Sequence, residues 1–257
     1  MTIDFDAQKA KWVEHGNVLC ELAESIFNEA DQYETEYGAT DPKVIAVSLL
    51  CRTVGNFRGA MLLVHNGLIV EARTLVRSSC ENLIWIDALA KGGNEFVKQI
   101  VANEYRSKEM RGKVLAQWAS GQQTEPPFAA DLHAFLKTIK GKAKGLINVK
   151  ETAASGVLKD SYIMYGQLSA DAAHPSAESL SRHMQRESDG SLTLVANAPT
   201  DHAEMLQTQE FACSLMMGVI VATNQILGGL PSGKKLHEVF EQFLELRKAQ
   251  TAFVNAA

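Results

Sequence analysis

The sequence is short of the features that would name a reaction. Its 257 residues hold four cysteines, Cys20, Cys51, Cys80 and Cys213, far apart, with no C-x-x-C pair and no histidine at zinc-finger spacing. Each falls in an apolar helical context. That excludes a disulfide framework and predicts reduced core thiols in a cytoplasmic protein. The opening MTIDFDAQKAKW has no basic stretch followed by an apolar one, so the expectation is a complete chain without a secretory leader. The phosphate-cradling G-x-x-x-x-G-K-[ST], the dinucleotide G-x-G-x-x-G, the zinc-protease H-E-x-x-H and the hydrolase G-x-S-x-G are all missing. So is the Glu-x-x-His pair of a di-iron bundle. His133 and His237 sit on separate amphipathic segments with no second ligand one turn on, and neither metal nor cofactor is expected. Positive charge is also in short supply. Thirty acids outnumber 25 Lys and Arg, and a net charge of −5 disfavours a nucleic-acid coat protein.

What is present is helical periodicity and 46% hydrophobic residues, enough for a sizeable core. Trp12, Leu19, Leu22, Ile26 and Ala30 recur at three- to four-residue steps. Asp41-Pro42 starts a second helix that Gly67 ends, and a third runs from about Leu68 to Lys91 before Gly92-Gly93. Asn94 caps a fourth, reaching Ala119; further helices are predicted around Phe128 to Lys140, near Asn148, and from Asp160 to Ala173 ahead of Pro175. The uncharged run from Phe211 to Gly233 is long enough to cross a bilayer. The close charged flanks and Asn224-Gln225 favour a buried central helix, capped by Thr200 or Asp201, and no membrane partner. Ser232 caps a last helix. Alternating residues on either side of Asp189-Gly190 predict a hairpin. The expected architecture is all-α: one domain over residues 1–257, a bundle of seven or eight helices with a small β-hairpin inserted at about 178–198.

Two constellations carry chemistry. The third helix, EARTLVRSSCENLIWIDALA, packs with Ile69, Ala72, Val76, Cys80 and Leu83, yet carries Arg73, Arg77, Glu81 and Asp87 in or beside that face. Arg52 and Arg58 stand among apolar neighbours on the second helix. Charges so placed are expensive unless matched. Two readings stay open: internal salt bridges to Glu71, Glu81 or Asp87, or a polar pocket that binds an anion such as a phosphate. In YIMYGQLSADAAHPS, Tyr162, Tyr165 and Ser169 share a helical face. His174 precedes a proline and therefore ends the helix, either as a cap or as a general acid or base helped by Asp171. Arg106, Lys108, Arg111, Lys113, Lys137, Lys140, Lys142 and Lys144 concentrate in one third of the chain, as solvated helix faces or as an anion-binding surface.

RTLVRSSCENLIWIDALA, followed downstream by YGQLSADAAHPSAESL, resembles the bacterial helical family catalogued as domain of unknown function 5677, over roughly Val44 to His183. That resemblance implies a helical bundle in which an Arg-x-x-x-Glu element, here Arg77 and Glu81, meets a Tyr-x-x-x-Ser … His element, here Tyr165, Ser169 and His174. More loosely the chain resembles HEPN-type helical proteins, many of them ribonucleases of toxin–antitoxin and anti-phage systems. Their Arg…His signature would fall on Arg58 and His65, although the position after the arginine is Gly59. The resulting expectation is a HEPN-like effector, a metal-independent ribonuclease acting on RNA or a nucleotide. His174, Arg77, Glu81, Tyr165 and Ser169 would be catalytic, Arg73, Arg58 and His65 would bind substrate, and the assembly would be a homodimer. The alternative is a non-enzymatic helical module that binds a partner protein or a small anionic ligand. A third reading, a membrane-inserting effector, would use Phe211 to Gly233.

Overall fold

The computed structural model describes residues 5–31, 34–124, 126–143, 145–172, 176–196 and 201–254. Its helices run in the order α1 (Phe5–Ala30), α2 (Pro42–His65), α3 (Ile69–Gly92), α4 (Asn94–Ser120), α5 (Ala129–Ile139), α6 (Val149–Ser155), α7 (Ser161–Ala172) and α8 (Ala177–Ser181). A hairpin of β1 (Met184–Arg186) and β2 (Leu192–Leu194) follows, then α9 (His202–Ile226) and α10 (Leu236–Val254). The all-α bundle with a hairpin insert is therefore the observed class. Ten α-helices are found among the described residues, more than the seven or eight expected, because short pieces such as α8 add to the long ones.

α9 is the central helix. It packs against α1, α2, α3 and α10, and Leu206, Cys213, Met216 and Ile220 are fully enclosed. α9 and α2 are each long and apolar enough to cross a membrane, but the apolar surface of α9 is mostly covered by its neighbours in the bundle. α3 lies between α2 and α9 and buries Ala72, Val76, Cys80, Ile84 and Ile86. Its remaining edge is left to α6 and α7. Burying side chains the size of Val76, Ile84 and Ile86 contributes about 2 kcal/mol each, which holds α3 in place against the charges on its edge.

The start signals work where a side chain can reach a free N–H. Asp41 caps α2 through Lys43 N–H at 2.9 Å, Asn148 caps α6 through Lys150 N–H at 3.0 Å, and Asp201 caps α9 through Ala203 N–H at 2.9 Å. Thr200, the other candidate there, lies outside the described residues. Ser232 behaves differently from expectation. It sits in a 3₁₀ turn, Pro231–Lys235, and its hydroxyl and N–H both bond Glu29 at the end of α1. Cys80 and Cys213 are buried and Cys20 half-buried, but Cys51 is exposed on α2 and is not a core thiol. The hairpin pairs Met184 with Leu194 and Arg186 with Leu192, and all six strand residues are exposed. It is shorter than predicted, since α8 takes up the start of the 178–198 segment.

α4 and α5 form a projecting arm. α4 packs its first turns on α3 and α2, whereas α5 packs on α4. The close approach is at Gly112, where a Cβ would come within 2.7 Å of the Leu136 side chain. The chain returns to the bundle where Asn103 Oδ1 accepts the Ile147 N–H at 2.9 Å.

At the other end of the bundle, His15 is buried among aromatic rings, its centroid 6.3 Å from Trp12 and 6.1 Å from Phe243, and its Nε2 has no partner. Burial holds its imidazole down at about 4. An unfolded histidine protonates near pH 6.5. The folded state therefore binds fewer protons between those values, so stability is complete above pH 6.5 and declines as pH falls toward 4. The expected loss is on the order of 2 kcal/mol. Urea unfolding at pH 7 and pH 4.5 checks this: the drop should be smaller by that amount in His15→Leu than in the wild type.

Candidate functional site

On α3, Arg73, Arg77 and Glu81 advance by one turn each, and Asp87 falls back to the same side fourteen residues after Arg73. This makes one charged stripe along an otherwise apolar helix. Each of its members is answered by a later part of the chain.

Arg77 is the centre. Its Nε donates to Ser169 Oγ at 2.8 Å and its Nη2 to the Tyr165 hydroxyl at 2.5 Å, and Nη2 stands 3.2 Å from Glu81 Oε1. The Tyr165 hydroxyl in turn donates to Glu81 Oε1 at 3.1 Å, and Ser169 Oγ donates to the Tyr165 carbonyl at 2.7 Å. The guanidinium carbon also lies 4.7 Å over the Tyr165 ring, and that ring stacks on Tyr162 at 5.7 Å. The four-residue spacings on α3 and α7 make this closure possible, because each helix presents its pair on one face. The Arg77 and Glu81 side chains keep 20% and 32% of their surface exposed, so the cluster reaches solvent on one side. Burial pushes the Tyr165 phenol above its usual range, partly opposed by the Arg77 charge. The phenol is therefore a proton carrier at neutral pH.

Arg73 belongs to a second node. Its Nη1 pairs with Glu204 Oε1 at 2.7 Å, its Nε donates to Thr208 Oγ1 at 3.2 Å, and its Nη2 donates to Gln207 Oε1 at 2.7 Å. Glu204 also receives Arg182, just after α8, at 2.8 Å through Oε2. Glu204 and Arg182 were not singled out from the sequence. The only signal is an acid in the first turn of α9, a common choice at any helix start.

Asp87 takes no arginine. Its Oδ2 accepts the N–H groups of Val157 and Leu158 at 2.8 and 3.0 Å, which fixes the loop that launches α7. A Cβ at Gly156 would stand 2.0 Å from that oxygen, so the loop needs glycine there.

The remaining predicted residues are elsewhere. Arg52 and Arg58 are exposed on α2, not set in its apolar face. Arg52 reaches Ser78, whereas Arg58 leans on Cys20 and lines a groove against α1. His65 is exposed at the end of α2. The structure thus does not join Arg58 and His65 to the Arg77 cluster. His174 lies outside the described residues, as does Lys144. On α4 the cations are answered locally: Arg106 and Lys113 pair with Glu109 at 2.8 and 2.7 Å, and Lys108 and Arg111 with Glu104 at 3.3 and 3.8 Å. Those four cations form solvated pairs along α4, and Lys142, just after α5, rests 5.4 Å over the Tyr105 ring. Among the described residues no group of three or more His, Cys, Asp or Glu is placed to hold a metal ion.

A family model described as a family of unknown function, DUF5677, matches residues 43–191, more than half of the chain. The chain belongs to this family. The DUF5677 segment runs from α2 into the hairpin, so it contains both halves of the Arg77 cluster, together with Arg73, Asp87 and Arg182. It stops short of α9, and therefore of Glu204. No match was found among curated proteins or among solved structures.

The Arg73 and Arg77 nodes should respond differently to mutation. Glu204→Ala takes a carboxylate only 14% exposed from two arginines at once and should cost about 3 kcal/mol. Glu81→Ala leaves Arg77 with Tyr165, Ser169 and solvent, and should cost about 1 kcal/mol. Chemical denaturation of the two variants measures the difference.

Proposed function

We propose that the Arg77 cluster, with His174, is the working site of a HEPN-like effector that cleaves RNA without a metal ion, in the setting of toxin–antitoxin or anti-phage systems. The observation that carries this reading is the convergence of a cation, an acid, a phenol and a hydroxyl, drawn from helices some ninety residues apart in sequence, at a wall open to solvent. Ser169 precedes His174 by five residues on the same stretch. Such a set can serve transphosphorylation, in which RNA supplies its own nucleophile. The 2′-oxygen forms a bond to phosphorus while the bond to the 5′-oxygen breaks. His174 takes the proton of the 2′-hydroxyl, and Tyr165, held neutral by burial, gives one to the leaving 5′-oxygen. Arg77 balances the charge on the phosphoryl oxygens. Glu81 and Ser169 orient the guanidinium. The products are a 2′,3′-cyclic phosphate and a 5′-hydroxyl.

A second reading has an observation of its own. The four groups of the cluster satisfy one another, and the α4 cations Arg106 and Lys113 are paired with Glu109 on their own helix. This favours a non-enzymatic module that binds a partner protein or a small anionic ligand, with the cluster as the pin between α3 and α7.

Purified protein incubated with total RNA separates the two. The first reading expects fragments with cyclic-phosphate and 5′-hydroxyl ends from the wild type. It also expects a loss of at least a hundredfold in His174→Ala and in Tyr165→Phe, with thermal unfolding of His174→Ala unchanged. Intact RNA with wild-type protein, or unchanged cleavage by His174→Ala, would set the ribonuclease assignment aside in favour of the module.

A further inference from the structure

The α4–α5 arm is built like half of something. Among the described residues, no hydrophobic side chain between 101 and 146 belongs to the central core or packs against it. Its own interior is small, with Gly112, Ala119, Ala129 and Ile139 buried between the two helices. An eleven-residue helix such as α5 is marginal in water without a larger packed surface.

One side of this arm is apolar and uncovered. Met110, Val114 and Trp118 follow each other at four-residue steps on α4 with Leu115 beside them, and they are 45%, 69%, 53% and 42% exposed. Phe128, just ahead of α5, and Phe135 on it, seven apart, are 38% and 41% exposed. The Trp118 and Phe128 rings stack at 6.3 Å with an 11° angle between planes, which ties the two helices into one continuous face. At ordinary side-chain areas the six expose roughly 600 Å², at the upper end of what a monomer leaves uncovered. With a polar rim this approaches the ~800 Å² per partner of a stable complex.

The charges on this side are self-complementary. Gly112 faces Leu132 as well as Leu136, so Arg111 on α4 and Asp131 on α5, each one residue from that contact, stand at about the same height on the arm. The nearest acid to Arg111 is Glu104, at the outer limit of pairing, 3.8 Å, and Arg111 is 71% exposed. A two-fold axis running along the arm would lay α4 of one copy on α5 of the other. It would set Arg111 opposite Asp131 twice and bring the two Trp118–Phe128 stacks together at the tip. An isologous interface requires this reciprocity, and two helical hairpins joined in this way make a four-helix bundle.

We infer that the apolar side of the α4–α5 arm seats a second copy of this chain, forming a homodimer whose interface is a four-helix bundle crossed by Arg111–Asp131 pairs. This inference is independent of the ribonuclease reading. Light scattering after gel filtration, with sedimentation velocity over low to tens of micromolar, tests it on the full chain. The wild type should have twice the mass of the chain. Val114→Asp, at a position too exposed to disturb the fold, should be monomeric with an unchanged circular dichroism spectrum. Arg111→Glu should weaken the dimer at least tenfold, and the double reversal Arg111→Glu/Asp131→Arg should restore it. A monomeric wild type, which would leave the face to a different partner, overturns the proposal. So does a dimer that survives Val114→Asp, or a double reversal that fails to rescue.

Discussion

A charge at the edge of an apolar helix has to be answered, and on α3 the answers come from the later chain. The helix is gripped by α2 and α9 along its apolar face, so its charged stripe cannot rotate away without exposing Val76, Cys80 and Ile84. A slip of one residue would turn the stripe by about 100° and strand every member of it. Arg73 therefore calls for Glu204 at the start of α9, Arg77 for the Tyr165–Ser169 face of α7, and Asp87 for the loop before α7. Three separate parts of the chain are docked by one stripe. The gain is register more than energy, since part-buried ion pairs of this kind contribute little net stability.

The Arg77 cluster and the Arg73 node differ in what they leave over. At the Arg73 node two arginines share one carboxylate, and hydroxyl and amide partners complete the shell. At the Arg77 cluster the phenol is both acceptor from the arginine and donor to the glutamate, so one proton sits between two charged groups. Moving that proton would change the whole cluster at once, because Tyr165 is also the ring that Arg77 lies over. The first node suits a fixed joint. The second is held together through one shared proton.

The class of fold was legible because periodicity persists through nearly the whole chain and the start signals at Asp41, Asn148 and Asp201 are local. Four-residue spacing made two shared faces legible, Arg77 with Glu81 on α3 and Tyr165 with Ser169 on α7, whereas the meeting of those faces was implied only by the family resemblance. Other features lie beyond what spacing alone can carry. Arg58 and His65 share a face of α2, but nothing local says that the face points to water. The partner of Asp87 was missed because it is a pair of backbone N–H groups, which no residue letter records. Glu204 was missed because an acid at a helix start already has a local explanation. On α4 the basic segment fits the reading of solvated helix faces, since Glu104 and Glu109 stand one turn from Lys108 and Lys113 and pair with them.

The clasp between Asn103 and Ile147 has a further consequence. It closes the base of the arm, so the chain leaves and re-enters the bundle at neighbouring points. Everything beyond that gate can change length or sequence at little more than the entropy of closing a loop, which grows slowly with its size. The interior and the outward-facing arm can thus vary independently, one under the demands of packing and the other under the demands of its company.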